Sequence, residues 1–107
     1  MNLAIMEINL GGAVMNLRIT ETAVSCLKQE WGFTDGDYIR VYVRYASGGS
    51  EAYALGILRE KPENNDQIIQ MSSGGFFIYM KQSDLWFLEE RNLTIDAKGE
   101  DLLFLIE

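Results

Sequence analysis

The sequence predicts an α+β fold, mainly β, built from short strands with two helices. Three observations carry that expectation. Residues 38–45, "YIRVYVRY", alternate strictly between two rows of side chains. Turn signals rich in Gly, Ser, Asp and Asn recur between short apolar runs. Only two stretches, after Thr20 and after Ser83, carry helical spacing. The chain has 107 residues, an apolar fraction of 48% and a single Pro, which suits one folded domain.

The elements follow in order. "LAIMEINL" can form a strand, and residues 1–14 read as an N-terminal extension ahead of Met15, either an extra strand or a non-native leader. The extension lacks a basic start, and Glu7 interrupts its apolar stretch, so it does not read as a signal peptide. The domain proper is 15–107, and removing 1–14 is expected to leave it folded. Residues 17–19 predict a short strand. Thr20 is a suitable N-cap, with Glu21 in the first turn and Ile19 and Val24 at hydrophobic-staple spacing. Ala23, Val24, Leu27 and Trp31 share a helical face, and Gly32 follows as the terminator. This predicts an amphipathic helix over about 21–31.

Asp35-Gly36 marks a turn into strand 38–45. Ile39, Val41, Val43 and Tyr45 form one row of that strand; Tyr38, Arg40, Tyr42 and Arg44 form the other. A second strand is expected over 52–58 beyond a Gly/Ser loop. Residues 62–66 read as a loop. Strands 68–71 and 76–80 flank "SSGG" as a four-residue hairpin loop. Ser83 is expected to cap a short helix running to Glu90, and two more strands, 93–95 and 102–106, close the chain around "DAKGED". Short connections favour mostly antiparallel pairing of about seven strands.

The composition narrows function. A formal net charge of −7 with scattered basic residues argues against nucleic acid as a partner. No apolar run approaches the ~20 residues of a membrane helix. There is no His, which removes the commonest general base and metal ligand. One cysteine, Cys26, allows no internal disulfide and suits a cytoplasmic protein. On helix 1 it reads as a small hydrophobe rather than a reactive thiol.

Ser47-Gly48-Gly49-Ser50 is not a nucleophile elbow, because the spacing is wrong and no His is present. Neither this loop nor "SSGG" is a phosphate loop, since no Lys-Ser/Thr follows. The acidic pairs Asp35/Asp37, Glu89/Glu90 and Glu100/Asp101 fit no calcium-loop pattern. Catalytic residues, a metal site and a cofactor are therefore not expected, and neither is an enzyme. Trp86 and Phe87 point away from each other in a helix that buries Leu85 and Leu88, and one exposed ring would mark an interface.

"LRITETAVSCL", "IRVYVRYASGGSEAYALGI", "GGFFIYMKQSDLWFLEERNLTID" and "DLLFLIE", in that order, resemble the HesB/IscA-like family of iron–sulphur cluster biogenesis domains over residues 17–107. The resemblance implies a HesB-like sandwich. It also implies three cysteine ligands in the cluster-binding members, one in the loop after the "VR" strand and two in a C-G-C tail. Gly48 stands at the first position, and no such tail follows "LLFLIE". The chain thus looks like a cysteine-poor branch of the family. A cluster takes four thiolates, which one Cys per chain cannot supply even in a dimer.

The expected function is that of a carrier-like protein related to iron–sulphur assembly that does not ligate a cluster itself. It would bind a protein partner, in that pathway, or regulate one. Ser47, Gly48, Gly49, Ser50, Arg44 and Tyr53 form the candidate partner or ligand loop, and Trp86 and Phe87 the candidate interface. The alternative is a small-molecule or anion-binding protein using the 46–53 loop with Arg40 and Arg44. A homodimer is expected, because sheet edges need cover.

Overall fold

Each of two sheets is made of two hairpins joined side by side. The computed structural model describes the backbone of residues 3–10, 13–45 and 53–107, with side chains from Asn16 onward. The elements are β1 (Leu3–Leu10), β2 (Ala13–Thr20), α1 (Glu21–Gln29), β3 (Tyr38–Tyr45), β4 (Tyr53–Arg59), β5 (Ile68–Ser73), β6 (Phe76–Lys81), a 3-10 helix (Gln82–Leu88), β7 (Leu93–Lys98) and β8 (Asp101–Ile106). The first sheet has the order β1-β2-β7-β8 and the second β4-β3-β6-β5.

Within the hairpins, β1/β2, β3/β4, β5/β6 and β7/β8 pair antiparallel. The central joins, β2/β7 and β3/β6, are parallel. The fold is mainly β, as expected, but its two sheets are mixed. Local turns announce hairpins in a sequence; the parallel joins connect strands separated by whole elements, for which no short-range signal exists.

The core lies between the sheets. Ile39 and Val41 of β3, Phe76, Ile78 and Met80 of β6, Leu17 and Ile19 of β2, and Leu93 and Ile95 of β7 are all buried. Each set has the two-residue period of a strand with one face on the core. Helix α1 lies against β2, β7 and β8 and buries Ala23, Cys26 and Leu27. Thr20 caps it: its Oγ1 accepts from the Ala23 amide at 3.1 Å and donates to Asp96 Oδ1 at 2.7 Å.

Several boundaries differ from expectation. Helix α1 ends at Gln29, not Trp31, because the Glu30 and Trp31 amides both donate to the Cys26 carbonyl and Phe33 donates back to Leu27. Gly32 takes φ +75°, as a terminator should. Trp31 therefore leaves the buried stripe; it is exposed, and its Nε1 donates to the Glu100 carbonyl at 3.1 Å. In "SSGG" the strands run on to pair Ser73 with Phe76, leaving a two-residue turn of Gly74 and Gly75, both at positive φ. In the same way "DAKGED" shrinks to a Gly99-Glu100 turn between Lys98 and Asp101.

The second helix is a 3-10 helix, and Ser83 does not cap it. Lys81 holds the N-cap position with no side-chain cap bond. The helix stops at Glu89 and Glu90, both left-handed at φ 51° and 64°. Its Leu85 and Leu88 are buried, anchoring it on the second sheet. No helix among the described residues is long and apolar enough to cross a membrane.

Candidate functional site

Tyr45 and Tyr53 end β3 and β4 and face each other across the hairpin. The loop between them, which carries Ser47, Gly48, Gly49 and Ser50, lies outside the described residues. The Tyr45 and Tyr53 rings meet edge-to-face at 5.9 Å, and Trp86 meets Tyr53 at 5.5 Å with the planes at 89°. Phe87 meets Trp86 at 5.7 Å. Trp86 and Phe87 thus touch rather than point apart. Successive residues of a 3-10 helix stand about 120° apart around its axis, so the contact is made by the reach of the two long side chains and not by the backbone.

Exposure separates the members of this chain of rings. Tyr45 is 71% exposed, Trp86 57% and Tyr53 43%, whereas Phe87 packs against the core. Tyr45 belongs by alternation to the inward row of β3, yet the strand has run past the core by then. Sequence periodicity could not show this, because it fixes the side of a sheet and not the depth along it.

The outward row of β3 divides differently. Arg44 is exposed. Arg40 is held by Glu60 at 3.1 Å and Asp84 at 3.3 Å. Tyr79, from β6, donates its hydroxyl to the Glu60 carbonyl at 2.9 Å and lies near the Glu60 carboxylate. Burial first, then the Glu60 charge, pushes the Tyr79 hydroxyl up to about 12. Arg40 therefore ties β3, the β4–β5 loop and the 3-10 helix together, and its charge is already matched by two carboxylates. It does not join Arg44 and Tyr53 as a free anion ligand. No motif announces this cluster; Glu60 and Asp84 come from a loop and a helix start that only the fold brings together.

Cys26 is 5% exposed and faces the core from α1. Burial raises its thiol above the ordinary range; Glu30, Asp101 and Glu100 add to this, and the Trp31 hydrogen bond opposes it. A thiol held neutral in this way is a poor ligand and a poor nucleophile. Among the described residues no group of three or more His, Cys, Asp or Glu could hold a metal ion.

A family model describing iron–sulphur cluster biosynthesis matches residues 15–106. The chain belongs to that family. One relative is a "Pyruvate dehydrogenase inhibitor" of Bacillus subtilis, 28% identical over 83 residues, covering 76% of this chain and 85% of the relative. A second is an uncharacterized protein of Staphylococcus saprophyticus, 28% identical over 90 residues, covering 78% of this chain and 88% of the relative. No solved structure matches.

Iron–sulphur clusters are held by thiolates, four per cluster. The single cysteine of this chain is buried in a helix, so the residues present do not fit the group that the family's name implies. The described site offers a row of exposed aromatic rings at strand ends and on the 3-10 helix, and such rings are common anchors at protein interfaces.

Proposed function

We propose that this chain is a non-enzymatic, partner-binding regulator within the iron–sulphur cluster biosynthesis family, and that it holds no cluster of its own. The observation that carries the reading is the Tyr45–Tyr53–Trp86 row. Three large rings, each exposed, meet at the ends of β3 and β4 and on the 3-10 helix. The partner suggested by the Bacillus subtilis relative's name is pyruvate dehydrogenase. Inhibition by covering a surface needs no catalytic group, in keeping with a chain that has no His and whose one thiol is buried.

The test adds the purified protein to pyruvate dehydrogenase from the same cells and follows pyruvate-dependent NADH formation. The reading expects saturable inhibition and a complex on gel filtration. Trp86→Ala should weaken inhibition by about tenfold or more, as loss of an interface anchor does. Unchanged activity at tens of micromolar protein with no complex would overturn it. Separately, anaerobic reconstitution with iron and sulphide should give no chromophore that survives gel filtration. Gly48→Cys should not restore one, because a single added thiolate leaves the ligand set incomplete. A stoichiometric cluster on the unmodified protein would refute that half of the proposal.

A further inference from the structure

The sandwich is closed along one side and open along the other. β1 and β5, the outer strands of the two sheets, lie against each other. At the opposite side the outer strands are β8 and β4, and a cleft runs between them. Leu55 and Ile57 of β4 and Leu102 and Phe104 of β8 line a cavity of about 530 Å3 there, with Trp31 at one end. A second cavity, of about 290 Å3, continues along the same two strands to Tyr53, Phe87 and Ile106.

Strand register shows which backbone groups face this cleft. The Glu107 amide donates to the Asn92 carbonyl. In an antiparallel ladder the bonded positions alternate, so Asp101, Leu103 and Leu105 bond to β7, while Leu102, Phe104 and Ile106 turn their N–H and C=O groups outward. The same argument applies to β4. The Glu60 amide donates to Tyr38, which leaves the groups of Leu55 and Ile57 facing outward. Among the residues that line the cleft, Leu55, Ile57, Leu102, Phe104 and Ile106 turn their main-chain groups into it. Edge strands are usually blunted by Lys, Pro or a bulge; "DLLFLI" has none of these. It is apolar on both faces, with Leu103 37% and Leu105 40% exposed.

We infer that this cleft accepts an extended segment of a partner protein as an added strand on β8, with alternate apolar residues and a basic residue at each end. The charge at the ends of β8 selects that chemistry. Glu100 and Asp101 stand at one end and Glu107 at the other, around an uncharged centre. Arg44 lines the opposite wall, from the second sheet. A second copy is the weaker occupant: antiparallel pairing centred on Phe104 sets Asp101 of one copy opposite Glu107 of the other, and like charges directly opposite repel. The inference deepens the partner-binding reading; its surface adjoins the aromatic row at Tyr53 but is centred on β8 and does not include Trp86.

The test uses the Trp86→Phe protein, in which Trp31, at the end of the cleft, is the one remaining Trp. The probes are the synthetic peptide acetyl-Lys-Val-Thr-Ile-Thr-Val-Lys-amide and its counterpart with Glu at both ends. The Lys-ended peptide should shift Trp31 emission saturably and bind roughly fivefold tighter than the Glu-ended one, the size expected of two cross-strand charge pairs. The double variant Asp101→Lys/Glu107→Lys should reverse that order. Peptide binding should slow amide exchange at Leu102, Phe104 and Ile106 more than at Leu103 and Leu105. The inference is overturned if neither peptide binds at millimolar concentration, if the charge swap leaves the order unchanged, or if sedimentation shows β8 occupied by a second copy that excludes both peptides. Because the tested protein lacks Trp86, failure here leaves the inhibition assay standing, and failure of that assay leaves peptide binding standing.

Discussion

Replacing Thr20 by Val keeps the side chain's volume and removes its hydroxyl, which makes two bonds at once. As N-cap it accepts from Ala23, and as donor it reaches Asp96. Loss of the cap costs about 1 kcal/mol. Loss of a hydrogen bond to an ionised carboxylate costs roughly 1.5 kcal/mol here, at the low end of the usual range because Asp96 keeps a second donor, the Ala97 amide. Unfolding entropy for 107 residues is about 0.22 kcal/mol/K, so a combined loss of about 2.5 kcal/mol lowers Tm by about 11 °C. The pH dependence separates the two parts. The Thr20 bond, followed by the Ala97 amide, holds the Asp96 carboxyl below its usual range. A depressed carboxyl stabilises the fold above its unfolded value, near ~4, and that contribution disappears as pH falls through the lower folded value. The Tm gap between wild type and Thr20→Val should therefore be widest near neutral pH and narrow in acid, leaving the cap's share. Thr20→Ser should retain most of the stability. Calorimetric melts from pH 7 down to pH 3 provide the measurement. A gap under about 3 °C at pH 7, or one that does not change with pH, would refute the reasoning.

Three further outcomes are expected. Gly74 sits at φ +60° with its missing Cβ directed into Val24, whereas Gly99 sits at φ +64° with open space beside it; Gly74→Ala should cost about 1–3 kcal/mol more than Gly99→Ala in urea unfolding. Tyr79 should give a phenolate absorbance step near pH about 12 that is absent from Tyr79→Phe; its raised value means that its contribution to stability is whole below ~10 and is lost as pH rises through about 12. Cys26, buried with a raised thiol, should react with a thiol-specific disulfide reagent about a hundredfold slower in the native protein than in denaturant.

What could be read in the sequence was local. The alternation of 38–45 located β3 to the residue, and Thr20 announced the helix it caps. The apolar residues of both elements gave their buried faces. What could not be read was either non-local or a matter of degree. Nothing near Leu17 or Leu93 indicates that they lie side by side in a parallel pair. Trp31 has helical spacing from Leu27 but falls beyond the point where the chain turns away. Gly74-Gly75 and Gly99-Glu100 are tighter turns than the surrounding polar residues suggested, because Ser72, Ser73, Asp96 and Lys98 continue the strand pairing up to the turn. The candidate site was visible as residue types, Tyr53, Trp86 and Phe87, but not as a surface. Their contact depends on a 3-10 helix held over the β3–β4 hairpin by Arg40 and Asp84.

That last tie also fixes the ends of β3 and β4 where the hairpin leaves the sheet. Here Tyr45 packs on Tyr53, Tyr53 on Trp86, and Trp86 rides on a helix anchored through Arg40. An edge-to-face pair contributes about 0.5–1.5 kcal/mol where it is buried, and less here, because these rings remain largely in solvent. Leu88 of the same helix, fully buried, contributes more: truncating a buried leucine costs about 2–5 kcal/mol. The rings are thus weak contributors to the fold for their size. Their exposed area is apolar surface that a partner could still cover, and covering it would release more free energy than their mutual contacts now do.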